Sequence, residues 1–148
     1  MKATVKEIAD AYALLGRAGY SKMETADLIL FNKAMRPLKK IALEYEDFKA
    51  DSMRRLTPEN AEELLKTLDE FNAMKPKERA VAVRETKFAE AIKANANYNK
   101  ALMECLKEED TKVVELDFAP LTEDGFVRLM MSNQWNMEQV MLAEGILC

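Results

Sequence analysis

The residues best suited to chemistry are Glu44, Asp47 and Asp51, three carboxylates placed to share one helical face. Hard oxygen ligands at such spacing could hold a divalent cation, and with it a metal-assisted reaction. A plainer account needs no ligand. Lys40 stands one helical turn before Glu44 and Arg55 one turn after Asp51, so the same face reads as a solvated run of ion pairs. The acids Glu59, Glu62, Glu63, Asp69 and Glu70, with Lys66 interleaved, are read the same way. The chain has no histidine. That removes the commonest general base and neutral metal ligand, and with them Ser-His-Asp, Cys-His and Glu-x-x-His chemistry. Its four glycines never cluster into a phosphate loop. Cys105 and Cys148 make neither a metal spacing nor a disulfide framework; Cys105 is expected in the core, and Cys148 as a mobile terminal residue. The expectation is a non-enzyme without a catalytic residue, cofactor or metal.

Other signals concern contact rather than catalysis. Trp135 is the only tryptophan, flanked by Asn133, Gln134 and Asn136, a setting that suits a peptide or sugar contact or a plain helix-start staple onto Val140. Ten methionines include Met130, Met131, Met137 and Met141, which can make an adaptable binding surface or fill a core. Val114, Leu116 and Phe118 alternate with Glu115 and Asp117, the mark of a half-buried strand over 111–118. A lone strand needs a partner for its backbone groups. Candidates are the segment Arg17 to Tyr20, a short piece just before Thr4, or the same strand of a second copy in a symmetric dimer. Possible partner-binding residues are therefore Val114, Leu116, Phe118, Met130, Trp135 and Met141.

Helices must position these groups. From Ser21 to Leu56, Leu28, Phe31, Met35, Leu38, Ala42 and Tyr45 recur at steps of three and four, one apolar stripe on a helix of roughly 50 Å. Pro37 lies inside it and predicts a kink or a break. Thr4 to Leu15 forms an earlier short helix with a Thr4–Glu7 capping box, ended by Gly16 or Gly19 in a left-handed cap. Thr57 and Pro58 predict the start of a third helix, and Pro76 to Glu109 a second long one, antiparallel to the first. In that helix Asn95 stands on the stripe, where it either fixes register or rims the stripe in water. Two small helices close the chain, capped by Thr122 and Asn136. The fold class is mainly α: a long antiparallel helical hairpin or bundle with one short β-strand and two small C-terminal helices. Residues 1–148 are expected to form a single domain, 4–110 a bundle with 111–148 packed on it.

The net charge of −4, with both signs interspersed and only a short basic group at Arg36, Lys39 and Lys40, argues against a nucleic-acid partner and a helical transcription regulator. The start lacks a signal-peptide order and no window approaches a membrane span, so the expected location is cytoplasmic, with no membrane.

Two stretches, Ala34-Met35-Arg36-Pro37-Leu38 leading into Glu44-Tyr45-Glu46-Asp47-Phe48, and Val114 through Thr122, carry a family resemblance. Their order resembles small uncharacterised proteins of phages, prophages and mobile elements of gut bacteria, in which a long charged helical hairpin precedes a short strand and a closing helix. The resemblance implies an accessory, adaptor or assembly protein, acting as a dimer or through a protein partner, with no catalytic residue to carry over.

Overall fold

A computed structural model describes all of residues 1–148, and the chain is 73% helical. The elements run β1 (Lys2–Thr4), α1 (Val5–Leu15), α2 (Thr25–Leu56), α3 (Ala61–Ala73), α4 (Pro76–Ala82), α5 (Thr86–Asp110), β2 (Val113–Glu115), α6 (Glu123–Met131) and α7 (Met137–Leu147). They form two compact units. Unit 1 is Met1–Phe48 with Glu108–Cys148, and unit 2 is Lys49–Lys107. The division therefore crosses both long helices instead of falling after residue 110, and the C-terminal elements belong with the first helices of the chain.

Unit 1 closes a continuous core. The stripe Ile8, Ala11 and Leu15 of α1 meets Phe31, Ala34 and Leu38 of α2, and Phe126, Leu129, Ala143, Ile146 and Leu147 from the last two helices complete the cluster. Its caps follow the sequence signals. Thr4 and Glu7 bond reciprocally, Thr122 Oγ1 accepts from the Gly125 N–H, and Asn136 and Gln139 form a box at the start of α7. Leu121 and Phe126, on either side of Thr122, are both buried, as a hydrophobic staple requires.

β2 finds its partner within the chain. It pairs antiparallel with β1, Ala3 opposite Val114, and the Leu116 N–H donates to the Met1 carbonyl at 2.9 Å. The short piece before Thr4 is thus the partner, rather than Arg17 to Tyr20 or a second copy, and the strand covers only Val113–Glu115 of the expected 111–118.

Several helix boundaries differ from expectation for local reasons. α2 starts at Thr25 rather than Ser21, and the Asp27 carboxylate in its first turn accepts the Glu24 N–H at 2.9 Å. The helix runs on through Pro37 without a break; Lys33, whose carbonyl loses its usual helical partner there, is an exposed residue. The Thr57 hydroxyl donates back to the Met53 carbonyl and so finishes α2; α3 starts later, with Asn60 before it and Pro58 in the turn. The second long helix divides at Val83–Glu85, a break that lets Ala82 and Phe88 both face inward although an unbroken helix would set them far apart in angle. No residue has a positive φ, so neither Gly16 nor Gly19 supplies a left-handed cap; Gly16 is right-handed helical at φ −66°.

In unit 2, α3 and α5 run antiparallel. Phe71 packs on Phe88 with ring centroids 5.7 Å apart, while the first two turns of α3 face Ala94 and Tyr98 further along α5. The end of α2 is also antiparallel to α5, with Ser52 Oγ 3.5 Å from Cys105 Sγ and Thr57 near Tyr98. No helix in the chain is long and apolar enough to cross a membrane.

Candidate functional site: an open groove in unit 2

The carboxylates Glu44, Asp47 and Asp51 are all exposed, and Asp51 is engaged by Arg54 at three-residue spacing. No group of three or more acids or cysteines converges closely enough to hold a metal ion. Arg55, the expected partner of Asp51, donates instead to Cys105 Sγ at 3.5 Å, and Cys105 is half-buried rather than fully in the core.

Five of the six expected contact residues pack inward. Val114, Leu116, Phe118, Met130 and Trp135 lie half-buried against the core of unit 1; only Met141 is freely exposed, at 64%. The amide beside the tryptophan is used internally. Asn133 Nδ2 donates to the carbonyls of Gly19 and Leu129, and its Oδ1 accepts the Gly19 N–H at 2.8 Å. Gly19 fits this close approach, since a Cβ there would meet the Ser132 carbonyl at 3.1 Å. Exposed methionines remain on α6 and α7, at Met131, Met137 and Met141, with Val127 one turn before Met131.

The most strongly placed ionic group of unit 1 is Asp27. It is 3% exposed, and Arg128 donates to both its oxygens, from Nε at 2.6 Å and from Nη2 at 2.9 Å. Those bonds hold its carboxyl below the ordinary aspartate range, and they push the Arg128 guanidinium further up. Both partners are satisfied by each other, and the pair fastens the start of α2 to α6. Tyr45, buried on α2, donates its hydroxyl to Asp110; burial first, then that carboxylate, raises the phenol well above its usual range.

Unit 2 is built differently. Its buried side chains are only Ser52, Ala82, Phe88 and Ala91, and α3 buries none at all. The stripe of α3 instead forms one wall of a groove of about 190 Å³. Ala61, Leu64, Leu65 and Leu68 stand on one side, Ala94, Asn95 and Tyr98 of α5 on the other, with Thr57 and Pro58 at the end. Small-molecule sites begin at roughly 300 Å³, so this one suits a few apolar side chains better than a cofactor. Asn95 is exposed at its edge, the solvated alternative of the two weighed for it. The sequence shows the α3 stripe but not that it stays open, because periodicity marks an apolar face without saying what covers it.

No family model matches the chain, and neither a curated protein nor a solved structure matches it.

Proposed function

We propose that this chain is a non-enzymatic interaction protein, an adaptor or assembly accessory of the kind that phages and mobile elements carry. The observation that supports this is the contrast between the two units. Unit 1 closes its apolar stripes into a core, whereas unit 2 leaves the stripe of α3 lining a groove, with Leu65 59% exposed. Apolar surface gathered in a groove is stabilised when another surface covers it. The methionines of α6 and α7 offer a second, more adaptable patch.

The test is selection of helical peptides from a displayed library against the intact chain, repeated with Leu65→Glu, Met131→Glu and Met141→Glu. All three positions are exposed, so the substitutions leave the cores intact. Binders lost on changing any of these positions support an interaction role. A library that yields no binder dependent on them sinks it.

A further inference from the structure

We infer that the groove of unit 2 receives an amphipathic helix from a partner protein whose apolar stripe is flanked by lysine or arginine. This rests on the interaction role proposed above and adds the chemistry of the partner. The α3 wall presents Ala61, Leu64, Leu65 and Leu68 at steps of three, one and three, the arrangement that seats the stripe of another helix. Along the two helical walls the neighbouring exposed charges are acids; Arg54 and Arg55 stand one turn before Thr57 and Pro58 at the groove's end, where Arg54 pairs with Asp51 and Arg55 donates to Cys105 Sγ. Glu62 and Asp69 lie one turn before and one turn after Leu65, and both are exposed. Exposed Glu90 lies one turn before Ala94 on the opposite wall, and exposed Glu59 adjoins Pro58. No lysine or arginine occupies a turn-neighbour position of any lining residue on α3 or α5. Lys66 and Lys93 stand roughly 150° around their helices from the centre of the lining stripe, against roughly 90–110° for Glu62, Asp69 and Glu90.

This acidic rim selects among occupants. A second copy docking groove to groove would set the acids of the α3 and α5 walls largely against one another. A polyanion such as a nucleic acid is repelled for the same reason. A helix with basic flanks meets the apolar wall and neutralises the rim together, and Asn95 and Tyr98 supply polar atoms at the groove edge.

The probes are three synthetic helical peptides with one apolar stripe, flanked by lysine, by glutamate, or by lysine in scrambled order. Their binding to the intact chain is read by fluorescence anisotropy. The lysine-flanked peptide is expected to bind at least about tenfold more tightly than either control, and to weaken as salt rises from about 0.05 to about 0.5 M. Leu65→Glu should cost about tenfold or more, as removal of a central apolar contact does. Glu62→Lys with Asp69→Lys, two surface changes, should reverse the preference toward the glutamate-flanked peptide. Equal binding of the two ordered peptides, or indifference to Leu65→Glu, overturns the inference. So does a self-associated chain that Leu65→Glu converts to monomer, which would make a second copy the occupant. If the displayed library yields binders that depend on Met131 or Met141 and not on Leu65, the interaction role stands and the groove assignment falls.

Discussion

Asp27 Oδ1 lies 2.8 Å from the point where any residue other than glycine at 125 would place its Cβ. The carboxylate cannot easily retreat, because Arg128 holds both its oxygens and Oδ2 also accepts the Glu24 N–H. Thr122 Oγ1, at 3.0 Å from the same point, is fixed by its own capping bond. Gly125→Ala is therefore expected to destabilise unit 1 by about 1–3 kcal/mol despite the better helix propensity of alanine. Thermal melts of the single variant, of Asp27→Ala and of the double variant test the cause. In the double variant the nearer obstacle is gone, so the cost of Gly125→Ala should fall, leaving the smaller part due to Thr122 Oγ1.

The same pair sets an acid dependence. The Asp27 carboxyl sits below its ordinary value of 3.8 in the folded chain. A depressed folded pKa adds stability above the unfolded value and loses it as pH falls through the folded one. Melting temperature should thus begin to drop near pH 4 and continue below it. Glu7, held low by the Thr4 N–H and hydroxyl, acts in the same direction from an exposed site. Asp27→Asn should lower the melting temperature at neutral pH by several degrees and flatten the fall below pH 4. An unchanged acid slope in that variant would remove Asp27 as its source.

Much of unit 1 is written locally. Caps at Thr4, Thr122 and Asn136 depend on residues three apart, and the stripes of α1 and α2 on steps of three and four, so neighbouring letters suffice. Asp27 with Arg128 and Asn133 with Gly19 join positions more than 100 residues apart, and nothing local marks them. Asn133 looked like a ligand amide because its real partner is a distant backbone. The groove was hidden for a related reason. Leu64, Leu65 and Leu68 have the pattern of core residues, and only the shortage of covering side chains from the rest of unit 2 leaves them open. The alternation at Val114 and Leu116 calls for a strand partner, and the piece before Thr4 is one of three candidates; nothing local chooses among them, since three residues carry almost no periodic signal.

That pairing has a test with two arms. Lys112 and Leu116 both bond to the N-terminal segment, so Val114 between them turns its backbone toward β1, while Val113 and Glu115 turn outward. Val114→Pro should remove a ladder bond and cost about 1–3 kcal/mol. Val113→Pro, on the outer edge, should cost less. Solution mass across a concentration series is expected to be the same for both variants and the intact chain. A loss of mass confined to Val113→Pro would show that the outer edge joins two copies.

For the acidic face of α2, addition of millimolar calcium, magnesium or manganese should leave the melting temperature unchanged, because Glu44, Asp47 and Asp51 form no convergent cation site and Asp51 already pairs with Arg54. A saturable rise, abolished by Glu44→Gln with Asp47→Asn, would restore a cation role to these residues.

The different construction of the units should appear in backbone hydrogen exchange. α1 buries Val5, Ile8, Ala11 and Leu15, so opening it must expose core side chains, and its amides should exchange slowly. α3 fully buries no side chain; Leu64, Leu68 and Phe71 are half-buried, so its opening exposes less apolar surface than the opening of α1. Its amides over Leu64–Phe71 are expected to exchange at least about tenfold faster than those of Ile8–Leu15, a difference of about 1.4 kcal/mol in opening free energy. Saturation with the lysine-flanked peptide should slow the α3 amides and leave α1 unchanged, because a ligand protects the segment whose closed form it requires. Slow exchange of α3 in the free chain would mean that unit 2 is already well closed, and that the groove is a crevice in a finished core rather than a surface awaiting a partner.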